Sequence, residues 1–194
     1  MPNPDGAECI HGVIKCICRC PIVLLNSKTK SRQACTNPMD PTQAKSLRDL
    51  LQTQQIASLG TLHEGQPSVS MTPFAILASG DGLVIHVSHL ATHTKDMLLN
   101  PQVSFLVIAP PNPDVVAQAT PRVTIQGRAM PCVESTQGQE ARAAYLSRFP
   151  QSAYLFDFAD FLLFVIQPIS IRYVGGFGQA TTITPEILAE TLCI

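Results

Sequence analysis

The stretch LVIHVSHLATHTKDMLLNPQVSFLVIA, residues 83–109, decides how this chain folds. Its ends, residues 83–87 and 103–109, are apolar runs of strand character. Between them, residues 94–100 carry Met97, Leu98 and Leu99 at helical density and stop at Asn100-Pro101, because a residue before proline is pushed out of the helical region. The order is strand, turn, short helix, strand. Ser88, Thr92 and Thr94 offer hydroxyls and Lys95 a fixed charge, and the first helical turn supplies backbone N–H groups at its positive dipole end. These are the components of an anion site, and equally those of an ordinary helix cap with solvated polar residues.

Working outward, Ala44, Leu47, Leu50 and Leu51 mark one face of a helix entered through Pro41 and Thr42. Residues 56–62 and 67–76 predict two strands of a hairpin turned by Glu64-Gly65-Gln66. A Pro-rich loop over 110–121 leads to a strand at 122–130 interrupted by Gly127. Residues 139–149 predict a helix with Ala143, Tyr145, Leu146 and Phe149 available to the core. Two strands, 160–167 and 169–173, are expected to be separated by Pro168, which has no N–H for a central ladder. Many antiparallel strands with few helical crossovers indicate a β-barrel or curled sheet with helices packed outside.

Composition narrows the function classes. A 194-residue chain that is 45% hydrophobic and 14% charged has the makeup of one well-buried domain. With a formal net charge of −1 and scattered Lys and Arg, no basic stripe exists to hold a nucleic acid. The apolar stretch 13–25 is interrupted by Lys15, Arg19 and Pro21, so no membrane span is expected. The first 39 residues hold five of the seven Cys and a net charge of +3, against −4 for the remainder, which marks a boundary: an N-terminal extension over 1–40 and a domain over 41–194. The alternating thiols Cys16, Cys18 and Cys20 lack the usual zinc spacing. The extension is expected to be poorly ordered, its thiols reduced as in the cytoplasm, and Met39 is a candidate true start.

Three His, at 86, 89 and 93, invite a metal, but the strand-to-helix change near Ser88 predicts different faces for them, and no metal site is expected. His63 reads as hairpin surface, and Asp157 and Asp160 as partners for Arg172. The segment RYVGGFGQA, residues 172–180, allows a sharp bend with Phe177 as a buried anchor. No nucleophile–base–acid set is visible, so no catalytic residue is assigned.

HVSHLATHTKDMLLNPQVSFLV, PRVTIQGRA, AYLSRFPQSAYLFDFADFLLFVI and RYVGGFGQA occur in unbroken order. Together they resemble the pyridoxamine 5′-phosphate oxidase-like, FMN-binding split-barrel superfamily, in its haem-utilisation branch, over roughly residues 44–183. The resemblance implies a mainly β (α+β) fold, a six-stranded antiparallel split β-barrel with flanking helices, and a homodimer with flavin at the subunit interface.

It also implies a phosphate-contacting turn at Ser88, His89, Leu90, His93, Thr94 and Lys95. A flavin-facing strand falls on Ser70, Met71 and Thr72, and a ring-edge position on Arg122 with Gln126 nearby. Where many relatives have an Arg after the Ser70 position this chain has Met71, and Asp96 replaces a common Asn, adding negative charge beside the expected phosphate. Haem-degrading relatives place a His ligand beyond the segment matching 175–178. This sequence has no His after His93 and ends sixteen residues past Gly178, so the extra C-terminal domain of such relatives is expected to be missing.

The leading expectation is an FMN-dependent oxidoreductase acting on an unknown small molecule, the flavin carrying the redox chemistry. The alternatives are a haem-binding or haem-degrading protein and a non-catalytic flavin or tetrapyrrole carrier.

Overall fold

The computed structural model describes residues 39–132 and 136–193, so the expectations for the cysteine-rich segment before Met39 lie outside the described residues. The chain runs α1 (Pro41–Thr53), β1 (Ile56–His63), β2 (Gln66–Pro73), β3 (Ala75–Ile76), β4 (Leu83–Ser88), α2 (Thr92–Leu99), β5 (Gln102–Ile108), β6 (Arg122–Pro131), α3 (Thr136–Arg148), β7 (Phe161–Gly176), β8 (Gln179–Ile183) and α4 (Pro185–Leu192). Short 3-10 turns lie at Ala117–Ala119 and Pro150–Asp157.

The expected six strands are eight, in one antiparallel sheet ordered β2-β1-β5-β6-β7-β4-β3, with β8 also paired to β7. The architecture is α+β, a curled antiparallel half-barrel with flanking helices. The expected second strand of the hairpin is shorter, ending at Pro73, and Ala75–Ile76 pairs with β4 instead. At the β1–β2 turn, Glu64 and Gly65 have φ of 50° and 78°, the left-handed pair that matches strand twist in a two-residue hairpin.

The two strands expected around Pro168 are one, the 16-residue β7. Along one edge β7 pairs with β6 over almost its whole length. Along the other, Phe161 to Ile166 pair with β4 and Ile171 to Gly176 with β8. Pro168 falls in the gap between those two partners, where its missing N–H deprives no neighbour. Opposite it the β6–β7 register shifts between Gln126 and Gly127, leaving Ile169 without a cross-strand partner and 63% exposed. A Cβ on Gly127 would stand 2.6 Å from the Gln167 carbonyl oxygen, so the bulge requires the glycine.

Leu59, Phe105, Ile125, Phe164, Ile171 and Tyr173 point into the curl and meet Leu47, Leu50 and Leu51 of α1. Pro41 opens that helix as expected, and Asp40 before it is the cap, its carboxylate accepting from the Thr42 and Gln43 N–H groups. Met39 packs on the same core. Val84 and Val165 face the other way, onto Ala141, Tyr145 and Phe149, which is why residues 83–87 are apolar almost without alternation. Of the helix residues expected in this core, Ala143 is exposed and Leu146 half-buried, because the face turned to the sheet runs through Ala141, Tyr145 and Phe149. Arg148 joins the layers by donating to the carbonyls of Leu51, Gln52 and Gln54 while lying 4.9 Å over the Phe74 ring.

Gly127→Ala should therefore destabilise the fold by about 1–3 kcal/mol, the usual cost of forcing atoms into a closed site. Gly60→Ala, whose Cβ would meet nothing nearer than 3.4 Å, should cost clearly less. Thermal denaturation of the two variants side by side checks the ranking.

Candidate functional site

Helix α2 carries the turn that the sequence singles out. Its N-cap, Ala91, has no side-chain acceptor, and two of the three hydroxyls expected to meet a phosphate, those of Ser88 and Thr94, are committed within the protein. Ser88 Oγ donates to Asp160 Oδ2 at 2.9 Å and accepts from the Leu90 N–H, while Thr94 Oγ1, fully buried, donates to the Ser88 carbonyl at 2.7 Å. Asp160 thus holds this turn rather than Arg172, whose Nη1 donates to Thr182 Oγ1. His89, Leu90 and Lys95 are exposed and His93 is half-buried. Burial holds the His93 imidazole below its usual pKa, opposed in part by Asp96.

Asp96 does not point toward the expected phosphate. Its carboxylate is 3% exposed and faces β1, where Oδ1 accepts from His63 Nδ1 at 2.8 Å and Oδ2 from Thr61 Oγ1 at 2.9 Å. Burial pushes the Asp96 carboxyl up, but the two hydrogen bonds and the nearby His63 and His93 outweigh it and hold the group below its usual value. His63, read from sequence as hairpin surface, is therefore a half-exposed imidazole tied to a buried acid, and the Asp96 hydrogen bond raises its pKa. No sequence signal announced this, because the partners lie 33 residues apart.

On β2 the side chains alternate: Met71 is exposed on the outer face, whereas Thr72 is buried and Ser70 half-buried on the inner one, the Ser70 Oγ without a partner. The three cannot all face one ligand. Arg122 and Gln126 share the outer face of β6, with Arg122 Nη1 donating to the carbonyls of Gln118 and Thr120. Gln126 lines a groove of about 490 Å³ on the outer face of the sheet, together with Gly60, Leu62, Pro67, Val69 and Ile169. No charged residue lines it. A larger hollow of about 780 Å³ lies beside Ile76, Ala143 and Arg148 and contains none of the sequence-predicted site residues.

His86 is enclosed. Its ring stacks on Phe156 at 3.9 Å, with Tyr145 and Phe161 around it, and its Nδ1 has no partner. Burial, helped by Arg142, pushes its pKa down to about 4, so it is neutral. Phe177, expected as a buried anchor, is 79% exposed at the β7–β8 turn, because the two-residue turn projects its side chain away from the sheet. Among the described residues, no group of three or more His, Cys, Asp or Glu is placed to hold a metal ion, and no helix is long and apolar enough to cross a membrane.

Residues 38–189 match the family model described as CREG, beta-barrel. The chain is 38% identical over 125 residues to the non-canonical heme oxygenase HOZ, chloroplastic, of Arabidopsis thaliana, covering 64% of this chain and 37% of that one. The chain thus spans little more than a third of that relative's length. It is 30% identical over 148 residues to the heme oxygenase HutZ of Vibrio cholerae, covering 75% of this chain and 82% of that one. Among solved structures, a heme binding protein from Mycobacterium smegmatis matches with a TM-score of 0.70 and 30% identity, over 78% of this chain and 62% of that one. By fold alone, the chain also matches a Listeria innocua protein provisionally named a pyridoxamine 5′-phosphate oxidase, with a TM-score of 0.53 and 17% identity over 69% of this chain and 98% of that one.

The His63–Asp96 pair sets a pH dependence. A raised imidazole pKa means that its contribution is complete below about 6.5 and fades as pH rises through the raised value. The share from Asp96, whose pKa is lowered, persists above its usual value and is lost only as pH falls through the lowered one. The stability difference between wild type and His63→Gln should accordingly shrink from pH 6 to pH 9 in urea titrations. In NMR titrations, Asp96→Asn should bring the His63 pKa back toward 6.5.

Proposed function

Because the chain belongs to the CREG β-barrel family and shares the split-barrel fold of haem-utilisation proteins, we propose that it binds haem and serves its breakdown. The observation that carries this reading is the uncharged groove on the outer sheet face. Its walls of Leu62, Pro67, Val69 and Ile169 suit a flat, largely apolar macrocycle. Arg122 and Arg172 stand on the same outer face as Gln126, Arg172 across from Thr124, and would meet the carboxylates at a macrocycle's edge. Haem brings its own iron chemistry. The residues of this chain hold the ring, orient it and keep water from one face. The two relatives named heme oxygenases support the same reading.

A second reading, an FMN-dependent oxidoreductase acting on an unknown small molecule, rests on Lys95. Its ammonium is exposed in the first turn of α2 and has no ion pair among the described residues. Against it, Ser88 and Thr94 are committed elsewhere, so a phosphate would meet a turn with few free donors. Titration of the purified chain with ferric haem and, separately, with FMN distinguishes the two. Haem should bind in a 1:1 ratio with a displaced Soret band, and FMN should bind at least about a hundredfold more weakly, a gap of roughly 2.7 kcal/mol. Tight FMN binding that Lys95→Ala weakens about tenfold, with riboflavin unaffected, would reverse the choice.

The proposal includes a homodimer. Ile56, Val69, Met71 and Ile108, each about half exposed or more, lie on the outer face of β1, β2 and β5 beside the groove. A second copy covering them would close the groove. Sedimentation should show a dimer for wild type and a monomer for Met71→Glu, since burying an unpaired carboxylate at an apolar contact costs several kcal/mol.

A further inference from the structure

We infer that the β5–β6 side of the groove is the subsite for the ligand's carboxylates, with Arg128 supplying the charge and Gln102, Ser104 and Gln126 the neutral hydrogen bonds. This rests on the haem reading above and fixes which edge of the ring faces which strands. The groove has two unlike sides. Its outer-face side chains on β1 and β2 are Leu62, Pro67 and Val69, all apolar, whereas those on β5 and β6 are Gln102, Ser104 and Gln126, all polar, with Ile169 of β7 bounding the groove beyond them. One rung of the sheet runs Val69–Gly60–Ser104–Gln126 across four strands. Gly60 carries no side chain, so the floor drops beside Ser104, and the Ser104 hydroxyl and the Gln126 amide face the hollow. None of the three polar side chains has a hydrogen-bond partner among the described residues.

Arg128 completes this side. It is the cross-strand partner of Gln102 and the second residue after Gln126 along β6, so it shares their outer face at the edge of the groove. Paired side chains start about 4.5–5.5 Å apart, and an extended arginine reaches farther than that, so the guanidinium can enter the groove beside Gln102. It is exposed and has no ion pair or hydrogen bond among the described residues. The other two arginines of this face are already engaged, Arg122 Nη1 with the Gln118 and Thr120 carbonyls and Arg172 Nη1 with Thr182 Oγ1. A free guanidinium offers a carboxylate two parallel N–H bonds, and amide N–H groups beside it take the remaining lone pairs. The β1–β2 side offers a carboxylate nothing, so an acidic edge is paired only when it faces β5 and β6.

Ferric haem and its dimethyl ester share the ring and the iron and differ only in the two carboxylates. Both are titrated, in one buffer with the same dilute non-ionic detergent, into wild type, Arg128→Ala, Arg128→Lys, Gln126→Leu and Arg122→Ala, each first shown folded by circular dichroism and thermal melting. Wild type should bind the acid at least about tenfold more tightly than the ester, and the gap should narrow as salt is raised, because the charge is exposed. Arg128→Ala should weaken the acid about tenfold and leave the ester unchanged. Arg128→Lys should keep part of the preference, since an ammonium retains the charge without the fork. Gln126→Leu should weaken the acid about three- to tenfold, and Arg122→Ala should cost less than Arg128→Ala. Equal binding of acid and ester by wild type, a preference that Arg128→Ala and Gln126→Leu leave untouched, an equal loss of both forms in Arg128→Ala, or a larger loss in Arg122→Ala would overturn the subsite while leaving haem binding intact. Wild type that binds neither form would overturn the haem reading itself, and the subsite with it.

Discussion

The structure depends on one strand being allowed to run unbroken through a proline. β7 belongs to both halves of the curled sheet: it zips to β6 along one edge and serves β4 and then β8 along the other. That division is possible because the residues between the two partners need no hydrogen bond on the second edge, and Pro168 lies there. The register shift opposite it bends the ladder, and only the bare backbone of Gly127 lets the Gln167 carbonyl approach so closely. The bend decides which side chains point into the core and which, such as Ile169, are pushed out toward the groove.

Two polar anchors then fix what the apolar core leaves free. Hydrophobic burial is non-directional, so it holds α1 and α3 near the sheet without setting their ends. Arg148 sets them, its fork satisfying three carbonyls at the end of α1. Asp96 does the same for α2 and the β1–β2 hairpin. A carboxylate so deeply buried is tolerable because both oxygens accept hydrogen bonds; removing either donor would leave a charge that its surroundings could not solvate. Through His63 the same contact ties the tip of the hairpin to α2.

The functional reading follows from where charge is and is not. An anion cradle needs free donors, and at α2 two of the three hydroxyls are spent, on Asp160 and on the Ser88 carbonyl. The groove on the outer sheet face has no charge in its lining and arginines on the neighbouring strands, an arrangement matched to a ligand apolar in the middle and acidic at its rim.

Local patterning made the elements legible. The α1 and α3 helices, the hairpin and the strand–turn–helix–strand order of residues 83–109 all follow from periodicity and turn chemistry, which act within a few residues. The ordered motifs were sufficient for the family and its split-barrel sheet. What remained hidden depends on residues far apart in the chain. The strand count and the continuity of β7 turn on which neighbour is missing beside Pro168. The outward turn of Phe177, the commitment of Ser88 to Asp160 and the His63–Asp96–Thr61 contact each need two segments brought together by the fold. Sequence by itself determined which residues can form helices, strands and turns and what chemistry they carry. Tertiary structure alone decided which donors meet which acceptors, because a buried polar group takes its partner from whatever the packing places within about 3 Å.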